Sequence, residues 1–362
     1  MSGPHAAPPG APPASAAKYG ADPVRPTAQL VDTQPAQDFT RLVARTYGYV
    51  LENTIQPFAP GDVVLGCTYL NDPTDDHAGL GRILQYDANL KPKGVLWTEG
   101  HRHLIMGLAF DPAGTLWGFD IHTQKVIRVD RYGRQMPEHT FAHRAFGTVA
   151  FGRDGSIYFG ETLKGTKPYW GSMMKFLPGT NRIGDGQVYR YDRDFRLVDT
   201  YATETAVELS GFKGVTHLAL HPSGTYIAYT TETAKRLMRY DLVGRRQMPD
   251  LATIEGGSLF DRNWFIAVAY CNDGRLLVSR GATVECYDED GKVMRTYDLA
   301  RFGYGFAQVA VCHDQQHGLA SNIFTGVACK FSLATGEVVA QVQTDHGGQR
   351  RSLAGIAEFP DL

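Results

Sequence analysis

A short apolar run centred on alanine returns six times along this 362-residue chain, and nothing else in the sequence limits the fold as much. It reads GLAFDPAG around Ala109, TVAFGRDG around Ala150, HLALHPSG around Ala219, AVAYCNDG around Ala269, QVAVCHDQ around Ala310 and GIAEFPDL around Ala357. Successive alanines are 41, 69, 50, 41 and 47 residues apart. A second series interleaves with the first. It places an aromatic or apolar residue before Asp at Tyr86–Asp87, Val129–Asp130, Tyr191–Asp192, Tyr240–Asp241 and Tyr287–Asp288, with Phe331–Ser332 as a degenerate sixth. Two interleaved series at this period match the four-stranded blades of a β-propeller.

The phase of the two series predicts how the ring closes. The last alanine motif has no strands after it, and the first Tyr–Asp motif has no alanine motif before it. Joined, they make one blade from the strand near 354–360 and residues 61–100. The expected fold is therefore all-β, a six-bladed β-propeller closed by pairing of the C-terminal strand with the first blade, which removes the open edges of a linear array. A seventh blade would have to lie in the 69-residue gap. Residues 1–37, rich in Ala and Pro, read as a disordered arm. Residues 38–60 read as a short amphipathic helix and lead-in, and 61–362 as the propeller.

Composition narrows the function. Lys and Arg number 36 against 38 Asp and Glu, without like-charge blocks, so no nucleic-acid or membrane partner is expected. The five cysteines lack CxxC spacing, and residues 1–37 do not read as a secretory leader. Reduced thiols and a cytoplasmic location are the expectation. No phosphate loop, dinucleotide fingerprint or GxSxG elbow occurs, so no organic cofactor is expected, and Gly184-Asp185-Gly186 alone carries no such meaning.

The blades GLAFDPAGTLWGFD (107–120) and TVAFGRDGSIYFGET (148–162) resemble those of the NHL, streptogramin-lyase-like and SMP-30-like six-bladed propellers. The resemblance is to a repeat, so it implies the fold and leaves activity to the site. Two motifs of the gluconolactonase branch are replaced here. Its Glu-Gly-Pro reads Glu358-Phe359-Pro360, and its Asn-Gly-Leu-Ala metal motif reads Thr216-His217-Leu218-Ala219.

Strand alternation then selects site residues. The large residues on either side of each alanine should pack between blades. The alanine and the residue two before it should face the channel: Gly107, Thr148, His217, Ala267, Gln308 and Gly355. Four before, an apolar collar is expected from Ile105, Phe146, Val215, Phe265, Phe306 and Leu353. Six before, a polar rim is expected from His103, Arg144, Lys213, Asn263, Tyr304 and Arg351. The insertion 163–186, with Trp170 and Phe176, reads as a lid.

The chemistry expected from this set is a lyase or hydrolase acting at the channel mouth on a small, partly aromatic or apolar organic acid, lactone or ester. His217, Glu161 and Tyr304 are the catalytic candidates, with His217 as base and Tyr304 as proton donor. Arg144, Lys213, Arg351, Phe146, Phe265, Phe306, Gln308 and Trp170 would hold the substrate. His103, His143, His217 and Glu161 could hold one divalent metal ion. The competing reading is a non-catalytic propeller binding a small ligand or a protein on the same face, with His217 a core histidine bonded to Gln308. Oligomeric state is left open.

Overall fold

The computed structural model describes residues 52–70, 79–101, 105–121, 123–139, 141, 144–166, 179–205, 213–232, 235–256, 263–344 and 353–362. Six antiparallel sheets form a six-bladed propeller. Blade 1 pairs Leu353–Glu358, Val63–Leu70, Gly79–Tyr86 and Pro92–Trp97 in that order, so the last strand of the chain is the innermost strand of the first blade. Val63 lies opposite Glu358 and Leu65 opposite Ile356, which closes the ring as the phase of the repeats requires. A buried ion pair fastens this joint: Lys330 Nζ of blade 6 lies 3.1 Å from Glu358 Oε1, whose other oxygen accepts from the His313 amide.

The two sequence series have separate physical origins. In the aspartate series, the carboxylate closes the hairpin between third and fourth strands. Asp87 Oδ1 accepts from the amides of Asn89 and Lys91, and Asp130, Asp192 and Asp288 repeat the arrangement. The aromatic before it is buried at Tyr86, Tyr191, Tyr240 and Tyr287. In the alanine series, the motif is the innermost strand, where converging blades leave little room. Gly107 shows how little: at φ 62°, an added Cβ would stand 2.2 Å from the Gly147 carbonyl of the next blade.

Six hydrophobic clusters fill the six gaps between blades. Leu108, Val149, Leu218, Val268, Val309 and Ile356, each one before its alanine, enter one cluster apiece. Blade 2 departs from the four-stranded pattern. Its sheet has three strands; the backbone of Gln135 and Met136 bonds to its outer strand, and Pro137, which follows, has no amide to extend the ladder. On blade 1 the lead-in covers the outer edge, with Thr54 and Ile55 donating to the Val95 carbonyl. The arm 1–37 and most of the expected helix lie outside the described residues. The five cysteines are buried thiols. No helix among the described residues is long and apolar enough to cross a membrane.

Candidate functional site

The innermost strands carry the site, and a bulge in each decides which side chains reach it. Phe146 lies opposite Glu161 and Thr148 opposite Gly160, so Gly147 is one residue too many for its partner strand. The same irregularity falls between Phe306 and Gln308, between Met106 and Ala109, and between Leu353 and Gly355. In blade 4, Thr216 and His217 both address Thr230. A one-residue bulge resets the alternation of faces.

The expected collar is corrected by that reset. Phe146, Phe265 and Phe306 are at most 1% exposed, as are Ile105, Val215 and Leu353, and each lies in a different cluster between blades. Phe146 stacks on Phe159 at 4.7 Å, and Phe265 packs against Tyr287. None of the three touches the channel cavity. They belong to the core and not to a substrate collar.

The cavity itself has a volume of about 310 Å³. Its lining begins with Gly107, Thr148, His217 and Gln308 and runs past Ala150, Ala219, Ala269 and Ala310 to Phe151, Leu220, Tyr270, Val311 and Gln315. It therefore lies on the side of His217 where tight turns join first and second strands, away from the rim positions. Phe151, Leu220, Tyr270 and Val311 were expected between blades. They do pack against the clusters there but are only half-buried, and their open sides form an apolar mouth to the channel. Gln315 is held in place there, its oxygen accepting from the Asn272 amide at 2.7 Å and its nitrogen donating to the Cys312 carbonyl.

His217 faces this cavity from blade 4. The residue is half-buried and its side chain lines the cavity, reachable along the channel. Burial depresses its pKa to about 4, so the imidazole is neutral at pH 7. Among the described residues its ring has no hydrogen-bond partner. Gln308 does not supply one: its Nε2 donates to the Leu108 and Ile356 carbonyls, both at 3.4 Å, and its buried Oε1 is left unpaired. Thr148 Oγ1 accepts from the Leu218 amide.

Glu161 sits apart from this group. Oε1 faces Arg144 Nη1 at 3.2 Å, and Oε2 accepts from the amides of Asp185 and Gly186 and from the Tyr189 hydroxyl, each at 2.9 Å. Arg144 also donates to Tyr189 Oη and lies over its ring. Burial pushes the Glu161 carboxyl up against the pull of Arg144, and burial followed by the Glu161 charge raises the Tyr189 phenol as well. With its oxygens engaged by four donors, Glu161 anchors the short hairpin Lys164–Gly165 and Gly184–Asp185 at the base of the insertion. The sequence reading misses Tyr189 and gives Gly184-Asp185-Gly186 no role, although its backbone amides hold this carboxylate.

The other candidates scatter. Lys213 is exposed, and Tyr304 packs edge-on against Trp264 and over Gly281. His103, His143, Arg351, Trp170 and Phe176 lie outside the described residues. Among the described residues no group of three His, Cys, Asp or Glu stands close enough together to hold a metal ion. His101 is buried, its ring nitrogens lack a side-chain partner among the described residues, and burial, followed by the Lys125 charge, drives its pKa down to about 3.

No family model matches the sequence, and no curated protein matches it. Among solved structures, the chain is similar to one in the crystal structure of the nidogen/laminin complex. The TM-score is 0.54 and the identity 14%, over 82% of this chain and 97% of that one. A second similarity is to virginiamycin B lyase from Staphylococcus aureus, with a TM-score of 0.46 and 11% identity over 68% of this chain and 72% of that one. What the nidogen-complex chain shares with this protein is its fold, the β-propeller.

Proposed function

We propose that the central channel is a small-molecule site and that His217 is the group that recognises the ligand. One observation carries this reading: a polar ring without a partner among the described residues faces a cavity of about 310 Å³, near the lower end of ligand-pocket volumes, about 300–1,000 Å³. Four alanines keep that space open where larger side chains would pack the axis shut. A neutral imidazole offers one donor and one acceptor, enough to orient a ligand. The test is a ligand screen read by the ring nitrogen resonances of His217. A binder should shift them, and His217→Gln should weaken capture while preserving the melting temperature. Uptake that ignores this substitution would remove His217 from the site.

Lyase or hydrolase chemistry is the second reading: the neutral ring faces the channel with a lone pair free for a proton, although a pKa of about 4 makes it a weaker base than an ordinary histidine. An imidazole that stays neutral at pH 7 can take a proton from a bound lactone or ester, or from water. No carboxylate lies within hydrogen-bonding reach of it among the described residues, so the base would act without an orienting partner. Incubation of the protein with lactones and esters, followed by mass spectrometry, separates the two readings. Product formation lost in His217→Gln supports catalysis, and unchanged ligand recovered from a saturated protein supports binding alone.

A further inference from the structure

The lining of the channel specifies what kind of molecule would enter and from which side. Among the 18 described residues that line it there is no Asp, Glu, Lys or Arg. A charged ligand held there would lose its hydration and meet no counter-charge, a cost that buried ions escape only by pairing. The apolar surface is concentrated at one end. Phe151, Leu220, Tyr270 and Val311 ring the mouth on the tight-turn side, with Gln315 fixed among them by the two hydrogen bonds already described. His217, whose ring has no hydrogen-bond partner among the described residues, stands at the opposite end of the same cavity.

We infer that the channel takes an uncharged, partly aromatic small molecule, entering from the tight-turn face, with its apolar part against Phe151, Leu220, Tyr270 and Val311 and one hydrogen-bonding group directed at His217. This rests on the channel being a ligand site and adds the ligand's class and its path. An organic acid, one of the substrate classes expected from the sequence, is excluded in favour of its neutral relatives: lactones, esters, amides and aryl amines. Charge decides at the centre of the channel and shape at its mouth, so each has its own test.

Two dyes with one skeleton provide the probe. N-Phenyl-1-naphthylamine is neutral and carries a single N–H donor, and 8-anilino-1-naphthalenesulfonate adds a sulfonate to the same rings. Fluorescence titration should show saturable uptake of the neutral dye and affinity for the sulfonate weaker by at least about tenfold. Equal affinities would overturn the uncharged class and leave the site standing. Uptake of neither dye would overturn the ligand-site reading itself.

For the path, Ala310→Leu narrows the cavity between His217 and the apolar mouth, and Ala269→Leu does so from a neighbouring blade should the first variant fail to fold. Either folded variant, checked by its melting curve, should lose neutral-dye affinity by about tenfold or more. Undiminished uptake in a folded variant would overturn entry from the tight-turn face.

Discussion

At the scale of single residues, burial dominates the pH response of two histidines, alone at His217 and with the Lys125 charge nearby at His101. The pKa values of His217 and His101 fall to about 4 and about 3 because the folded protein disfavours the charged ring. The unfolded chain, near the ordinary 6.5, takes up protons that the native state refuses. Stability is therefore full above about pH 6.5 and declines as pH falls toward 4 and then 3, by up to about 1.4 kcal/mol per pH unit for each ring. His101→Phe removes one titration along with two buried nitrogens that lack a side-chain partner among the described residues. It should flatten the acid limb of a denaturation series and raise stability at pH 7 by about 1 kcal/mol or more. A loss of stability instead would mean that the imidazole is satisfied by a group bound to it. Glu161 responds differently. Glu161→Gln keeps the volume but strips Arg144 of its main counter-charge, and urea melts should show a loss of about 3 kcal/mol with channel-ligand affinity unchanged. Lost affinity at unchanged stability would place Glu161 in the site.

At the scale of the element, the innermost strand both obeys its sequence and departs from it. The alanine motif was legible because convergence at the axis demands small side chains, and the residue before each alanine was legible because simple alternation holds across that step. Three residues earlier it does not. The bulge at Gly147, and its equivalents at Ala307 and Ala354, cannot be read from apolar pattern, since both faces that Phe146 might take are apolar. A ring of phenylalanines was thus expected at the mouth and lies in the core. Glu161 was legible as a strand-end carboxylate, but its partners come from Arg144, 17 residues earlier, and from Asp185 and Gly186 of the insertion and Tyr189 of the strand after it, 24 to 28 residues later. Only the folded hairpin brings them together. The bulges also place carbonyl groups where the neighbouring blade can use them. Thr230 Oγ1 donates to the Ile266 carbonyl at 2.6 Å, Ser321 Oγ donates to the Ala354 carbonyl at 2.7 Å, and Ser279 donates to Phe306 in the same manner. Ser321→Ala should leave the Ala354 carbonyl unpaired and cost about 1–2 kcal/mol in urea melts. No change would mean that water enters the gap.

At the scale of the whole molecule, each blade is held by two neighbours, and blade 1 is the place where the ring can be opened. The strand Leu353–Glu358 brings a row of hydrogen bonds to Val63–Cys67, the carboxylate that meets Lys330, and Leu353 and Ile356 in the cluster between blades 6 and 1. Removing 353–362 should therefore lower the melting temperature of the entire propeller, with one broad transition or aggregation in calorimetry. A truncated chain that melts like the intact one would show that closure is dispensable.

The same joint sets a clock on synthesis. Cys67 and Leu353, which face each other across the closing sheet, are 286 positions apart in the chain (353 less 67). At translation rates of about 5–20 residues per second, roughly 15 to 60 seconds separate the appearance of the first blade from the arrival of the strand that completes it. For that interval Val63–Leu70 is an edge with unpaired backbone groups, able to accept any extended segment that reaches it. The ribosome holds an incomplete sheet in waiting until the last strand emerges.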